Sequence, residues 1–309
     1  MRIRVFGGTD EVLRQVGKAW PEAAVSTTGS GGTFAAGLVW DAEPEELTSF
    51  ANAQSGAWWL HFKATGLPAP VLAATDRPGV VVTNGRGTHG SAVAEHVLAM
   101  LLAHYKRLDV LLDAQRRRVW HPAIGAGEIR GRTVGIIGLG DLGLATARLL
   151  SAFGATVVGM RREGPDVPQL TRTYRRAELA EFLAQLDVLV IAAPLTDQTR
   201  GMIGGHELCL LPERAFVINV GRAPILEEDA LVDAIVSGHL AGAALDVFAT
   251  EPLPASSRLW SLPNVMITPH CADSTEPTEQ RCVQLMIENI HRFRAGQPLQ
   301  NVVDASRGY

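Results

Sequence analysis

Residues 134–143 read VGIIGLGDLG, which sets Gly138, Gly140 and Gly143 in a G-x-G-x-x-G spacing. The run before it, 133–137, is apolar, and the stretch after it, 142–153, has helical rhythm. In that context the triplet demands a strand, a tight turn and a helix. The first glycine makes the turn, the second lets backbone approach a pyrophosphate, and the third lets helix and strand pack closely. The helix N-terminus then faces the anion. A glycine-rich turn without a ligand is the plainer alternative, and the strand and helix on either side argue against it.

The chain around the loop keeps the same alternation. Apolar runs at 156–160, 188–192, 215–220, 242–247 and 265–268 are interleaved with helical stretches at 177–186 and 227–237. Non-alternating apolar strands separated by helices point to a parallel sheet covered on both faces. Upstream, strand candidates at 3–6, 37–40, 57–62 and 79–83 alternate with helical stretches. Residues 93–105, VAEHVLAMLLAHY, are apolar almost all round, the pattern of a buried helix, here placed between two domains. A helical segment at 109–118 and a glycine-rich connector at 120–132 follow, and an amphipathic helix at 279–294 ends the pattern.

Length and composition set bounds. A chain of 309 residues predicts about two domains. With 28 basic and 32 acidic side chains the net charge is −4, which removes the electrostatic reason to expect nucleic acid or an anionic membrane as partner. No run approaches the ~18 apolar residues of a membrane span, and the N-terminus turns polar after Phe6, unlike a signal peptide. Cys209, Cys271 and Cys282 have no C-x-x-C spacing, so neither a disulfide framework nor a metal site is expected, and a cytoplasmic location is the default.

The strand 156–160 ends where a dinucleotide unit usually carries an acidic residue for the ribose 2′-hydroxyl. Here Arg161 and Arg162 follow, and a guanidinium forks onto a 2′-phosphate. NADP(H) is therefore favoured, with NAD(H) as the alternative through Glu163; two solvated arginines are the plainer reading.

Three more segments sit at predicted strand ends: INVGRAP with Arg222, ALDVFATEPLP with Asp246 and Glu251, and MITPHCADS with His270. Ligands of doubly wound sheets lie outside the carboxyl ends of strands, so all four residues are candidates for one crevice. Singly, each has a bland explanation, and His96 and His104 on the apolar stretch read as core or interface histidines. Together they are complementary: arginine grips a carboxylate, histidine moves a proton near neutral pH, and a glutamate orients the ring.

These segments, with PLTDQT at 194–199 and VAEHVLAMLLAHYKR at 93–107, occur in an order that resembles the D-isomer-specific 2-hydroxyacid dehydrogenase family, and within it the glyoxylate/hydroxypyruvate reductase type. The resemblance spans nearly the whole chain and is densest from 131 to 275. It implies an α/β fold with a Rossmann cofactor-binding domain (101–273) inserted into a flavodoxin-like substrate domain (1–100 and 274–309), and a dimer formed through the cofactor domain. It implies hydride transfer between NAD(P)H and a small 2-oxo or D-2-hydroxy acid. The family's catalytic Arg, Glu and His fall on Arg222, Glu251 and His270. Its cofactor contacts fall on the glycine loop with Asp141 and Leu142, on Arg161, Ala193, Pro194, Val220, Gly221 and Asp246. The substrate-carboxylate loop falls on Ala64, Thr65 and Gly66, with Arg86 and Gly87 as a second edge.

Two departures stand out. Ala223 occupies a position where many members carry glycine, and Cys271 one where an apolar residue is usual. Other activities on the same scaffold remain open at this point: oxidation of formate or phosphite, or a nicotinamide-sensing, peptide-recruiting module like the C-terminal-binding proteins.

Overall fold

The computed structural model describes residues 1–29, 33–121 and 125–304. Part of the expected connector, 122–124, and the last five residues of the expected substrate domain lie outside the described residues. The chain divides into two compact units, Met1–His89 with Thr275–Tyr309, and Gly90–Ser274.

The first unit is a five-stranded parallel sheet of β1 (Arg2–Phe6), β2 (Ala24–Ser26), β3 (Ala36–Val39), β4 (Trp58–Phe62) and β5 (Val80–Thr83), in the order β2-β1-β3-β4-β5. Its helices are α1 (Asp10–Ala19), α2 (Pro44–Ala53) and α3 (Ala69–Thr75), together with the C-terminal helix Glu276–Arg294. This is the flavodoxin-like strand order. The pleat sends neighbouring residues to opposite faces. Trp59, Ile3 and Val5 pack with Val12, Val16, Met286 and Ile290, while Trp58, Phe6 and Leu60 pack with Leu47, Phe50 and Val71.

The second unit opens with α4 (Gly90–Lys106) and α5 (Leu108–Arg116). Its seven strands are β6 (Thr133–Ile137), β7 (Thr156–Met160), β8 (Arg172–Tyr174), β9 (Val188–Ile191), β10 (Phe216–Asn219), β11 (Gly242–Leu245) and β12 (Val265–Ile267). Between them run α6 (Asp141–Ala152), α7 (Leu179–Leu183), α8 (Gly205–Leu210) and α9 (Glu228–Val236); the C-terminal helix of the first unit is α10. All strand pairs are parallel, in the order β12-β11-β10-β9-β6-β7-β8. The order reverses between β6 and β9, as in a Rossmann sheet. Val134, Ile136, Val188 and Val190 meet Val93, Val97 and Leu101 of α4 on one face; Leu189, Ile191 and Val217 meet Phe182, Leu208 and Leu231 on the other.

Several elements differ from the sequence reading. The unit boundary falls between His89 and Gly90, not at 100/101, because the whole of α4 packs in the core of the second unit. The helix expected at 177–186 is a short 3₁₀ turn, Arg176–Glu178, followed by one turn of α-helix, Leu179–Leu183. Strands β2 and β8, three residues each, carry too little periodicity to be read. Helix α10 starts three residues before the expected 279, since the Thr275 hydroxyl accepts the Thr278 N–H and Pro277 suits the first turn.

Burial acts on the imidazoles of His61 and His104. His61 on β4 is fully buried with Nδ1 2.8 Å from the Thr83 hydroxyl, and burial pushes its pKa down to about 3. His104 on α4 stacks on Phe216 at 3.9 Å; burial first, then the Arg107 charge, pushes its pKa down to about 4. The unfolded chain takes up protons at pH 6.5 that the folded chain refuses until about pH 4 or 3. Stability therefore falls as pH drops through that window. Between pH 7 and pH 5 each histidine costs about 2 kcal/mol, the product of a 1.5-unit window and ~1.4 kcal/mol per unit. Urea unfolding at the two pH values should show this loss, and His104→Gln should reduce it by about half; equal stability at pH 7 and pH 5 would contradict the assignment.

Candidate active site

The candidate residues of the second unit lie at the carboxyl ends of its strands. Directly after β6, Gly138 turns with φ +96°, a conformation that only glycine adopts without strain. A Cβ there would lie 2.6 Å from the Ala193 backbone, so the ends of β6 and β9 are in contact. Gly143 packs its α-carbon against β6: an added Cβ would stand 1.9 Å from the Gly138 carbonyl oxygen. Gly140 is the opposite case, since a Cβ there would meet nothing within 4 Å. The three glycines thus divide into turn, open cradle and packing contact, and the cradle is the space a pyrophosphate needs. Helix α6 starts at Asp141 and points the N–H groups of its first turn toward this space.

Asp141 serves a second purpose. Its Oδ2 accepts the Gly90 N–H at 2.8 Å and so caps α4. Leu142 is half-buried, its carbonyl taken by Thr146. Ala193 is buried, and Pro194 starts a turn closed by the Thr199 hydroxyl, which donates to the Pro194 carbonyl at 2.8 Å. Val220 and Gly221 are buried, and Gly221 sits against Ala193. Arg161 follows β7 as expected; its guanidinium lies over Gly164 and donates to the Pro165 carbonyl at 3.3 Å. Arg162 and Glu163 are exposed beside it.

After β10, Arg222 is oriented by a side chain the sequence reading did not single out. Buried Asn219 accepts the Gly221 N–H at 3.1 Å and donates to the Arg222 carbonyl at 3.4 Å. The Arg222 guanidinium donates to the Gly221 carbonyl at 2.7 Å. Burial pulls its pKa down from the ordinary arginine value, and the carboxylates of Asp273 and Glu251 push it back up. A guanidinium carries five N–H donors in a planar fork, the shape that suits a small carboxylate anion. Ala223 is itself buried, at the start of a short 3₁₀ turn, Ala223–Ile225.

His270 follows β12 with φ +51°, a left-handed conformation rare for histidine. Its Nδ1 lies 2.8 Å from Glu251 Oε2, and Glu251 Oε1 accepts the Phe248 N–H at 2.9 Å. The glutamate is thus fixed by backbone at one oxygen and fixes the imidazole with the other. The ring's Nε2 remains to exchange a proton. Asp246 does not point outward. Its carboxylate accepts the Thr268 hydroxyl at 2.6 Å, the Cys271 N–H at 3.0 Å and the Ala272 N–H at 3.1 Å. Hydrogen bonds to a charged group are worth about 1.5–3 kcal/mol each, so three offset the ~1–3 kcal/mol of a left-handed residue. Burial first, then the charges of Asp246 and Asp273, raises the Cys271 thiol, so it stays protonated beside the histidine.

The residues expected at the substrate carboxylate lie in the first unit, after β4 and β5. Asn84 joins the two loops: its Nδ2 donates to the Thr65 carbonyl at 2.8 Å and its Oδ1 accepts the Arg86 N–H at 3.2 Å. The Gly85 N–H donates to the Ala64 carbonyl at 3.2 Å, Gly66 is half-buried and Gly87 has φ +93°. A cavity of about 530 Å³ in the second unit opens at the amino ends of the strands, beside Arg132, Asp187, Arg214, Ala241 and Asn264, and touches none of Arg222, Glu251 and His270. Among the described residues no group of three His, Cys, Asp or Glu is arranged for a metal, and no helix is long and apolar enough to cross a membrane.

The chain is similar to known proteins over most of its length. The model of the D-isomer specific 2-hydroxyacid dehydrogenase NAD-binding domain matches residues 98–272. The chain is 37% identical over 238 residues to a glyoxylate reductase of Aeropyrum pernix, covering 74% of this chain and 70% of that protein. It is 29% identical, with a TM-score of 0.85, to an NADPH-dependent glyoxylate/hydroxypyruvate reductase of Sinorhizobium meliloti solved with NADP and sulfate, covering 100% and 99% of the two chains. A D-isomer specific 2-hydroxyacid dehydrogenase of Xanthobacter autotrophicus solved with NADPH and MES is 32% identical with a TM-score of 0.83, covering 99% of each chain.

The cradle makes opposite demands on two glycines. Gly140→Ala should keep the melting temperature of the protein and weaken dinucleotide binding by tenfold or more, because the methyl group enters open space needed by the ligand. Gly143→Ala should lower the melting temperature by several degrees, because it collides with the Gly138 carbonyl. Thermal unfolding and dinucleotide titration by fluorescence separate the two; unchanged binding in Gly140→Ala would place the ligand elsewhere.

Proposed function

The chain belongs to the D-isomer specific 2-hydroxyacid dehydrogenase family, and from that premise we propose that it reduces glyoxylate or hydroxypyruvate, with NADPH preferred over NADH. The observation that carries the reading is the Glu251–His270 pair, 2.8 Å apart and fixed by backbone, on the same sheet edge as Arg222 and the glycine cradle. The names of similar reductases support the substrate class.

With a dinucleotide's pyrophosphate at the cradle, its nicotinamide would supply the hydride. His270 Nε2 gives a proton to the substrate's carbonyl oxygen, with Nδ1 held by Glu251. Arg222 forks onto the carboxylate and carbonyl of the 2-oxo acid. Loops Ala64–Gly66 and Arg86–Gly87, which Asn84 ties together, are the proposed substrate loops of the first unit. The backbone N–H groups at Gly140, Asp141 and Leu142 hold the pyrophosphate, and Val220 and Asp246 shape the wall beyond it.

Preference for NADPH rests on Arg161 and Arg162. An acidic residue at the end of β7 would repel a 2′-phosphate, whereas guanidinium bonds to it are worth about 1.5–3 kcal/mol each. Homodimer formation through the second unit accords with exposed Leu108, Leu112, Val119 and Trp120, apolar side chains clustered along α5 and just after it. Three free cysteines suit a reducing, cytoplasmic setting.

Steady-state kinetics with a panel of 2-oxo acids test the reading. His270→Ala should lower kcat by about 10²-fold or more, the scale of general acid–base catalysis. Arg222→Lys should raise KM and lower kcat together, since an ammonium has no planar fork. Near-normal turnover by His270→Ala at pH 7 would remove it from the reaction. For the cofactor, kcat/KM should favour NADPH by about ten- to a hundredfold, and Arg161→Ala with Arg162→Ala should nearly abolish the preference. A wild-type preference for NADH would make those arginines solvated surface charge.

A further inference from the structure

Helix α4 meets both halves of the catalytic edge within the second unit. Its first N–H, at Gly90, is held by Asp141 of the glycine loop at 2.8 Å. Less than two turns along, His96 reaches the segment that carries His270. Its Nε2 lies 3.0 Å from Thr268 Oγ1 and 3.7 Å from Asp246 Oδ1.

Donor and acceptor counting fixes the direction of these bonds. A threonine hydroxyl has one proton to give. Thr268 gives it to Asp246 Oδ1 at 2.6 Å, its shortest contact. Toward His96 the hydroxyl is therefore an acceptor, and His96 must donate from Nε2. The Asp246 carboxylate, 2% exposed, then takes the N–H groups of Cys271 and Ala272, the two residues after His270. The His270 N–H donates back to the Thr268 carbonyl at 3.0 Å. The left-handed turn of His270 is thus closed on both sides by groups that His96 and Asp246 hold.

We propose that His96 is a positioning residue for the proton-transfer step: through Thr268 and Asp246 it holds the 268–272 turn in the conformation that presents His270 to Glu251. The inference rests on His270 being the proton donor. His96 touches neither substrate nor His270 itself; it acts on the turn. Removing it leaves the Thr268 hydroxyl without its donor and loosens the network through which Asp246 holds the turn that aims the imidazole at Glu251. The expected cost is in kcat and not in dinucleotide affinity, because the cradle is formed by other residues.

Four variants of the full chain test this: His96→Ala, His96→Gln, Thr268→Val and Thr268→Ser. Glutamine keeps a side-chain N–H at about the reach of Nε2, and serine keeps the hydroxyl. His96→Ala and Thr268→Val should lower kcat by about tenfold or more, with less than a threefold change in KM for the 2-oxo acid and in dinucleotide Kd. The solvent isotope effect on kcat should rise as proton transfer becomes limiting. His96→Gln and Thr268→Ser should recover most of the loss. Hydrogen exchange gives a readout independent of turnover: the amides of Cys271 and Ala272 should lose protection in His96→Ala while those of β6 and β9 keep theirs. Unchanged exchange at 271 and 272, or equal loss in His96→Ala and His96→Gln, would overturn the relay. If instead the wild-type protein reduces no 2-oxo acid, or His270→Ala is fully active, the underlying reading fails, whatever the exchange data show.

Discussion

The close approach of Gly138 to Ala193 sets the geometry of the whole second unit. Two parallel strands, β6 and β9, lie side by side, and the chain leaves them in opposite directions along the sheet. A crevice opens where connections diverge in this way. It opens only if the turn after β6 is tight enough to stay out of it, and a side chain at 138 would strike the Ala193 backbone. Gly143 then brings α6 down onto β6, and Gly221 lets the β10 loop close on Ala193. Each contact is a backbone approach that any Cβ would prevent. The cradle at Gly140 is what remains when those approaches have been made.

The side of the same edge that carries Glu251 and His270 is built by a different force. No glycine opens it; a buried carboxylate gathers it. Asp246 satisfies three donors from residues 268–272, which holds His270 in a conformation it would not choose. Backbone also orients Glu251, through the Phe248 N–H, and Glu251 in turn meets the His270 ring. Such pre-organisation matters because proton transfer needs heavy atoms within about 3 Å and loses rate steeply with misplacement.

Much of this was legible in the sequence, for identifiable reasons. The glycine spacing, the apolar strands and the strand-end positions of Arg222, Glu251 and His270 are local patterns. The parallel architecture follows from strands without alternation, and both sheets have it. What was not legible depends on residues far apart in the chain. Asp141 caps a helix 51 residues upstream, so α4 begins at Gly90 and the unit boundary moves with it. His96 reads as a core or interface histidine until Thr268, 172 residues on, is placed against it. Asn219 lay in plain view within N-V-G-R, but its two bonds to Gly221 and Arg222 need a turn that only the fold supplies. Asp246 reads as a cofactor contact by position, and the three donors it takes from residues 268–272 appear only in the fold.

On the proposed function, the hydride that reaches a 2-oxo acid at this edge of the second sheet comes from the nicotinamide, and the carbonyl proton from His270. The most direct measurement is the fate of a label. Hydroxypyruvate reduced with NADPH deuterated at the transferable C4 position should yield glycerate with one deuterium at C2, in the D configuration. Turnover in deuterated water with unlabelled NADPH should leave C2 free of deuterium. An L product, or solvent deuterium at C2, would contradict the account.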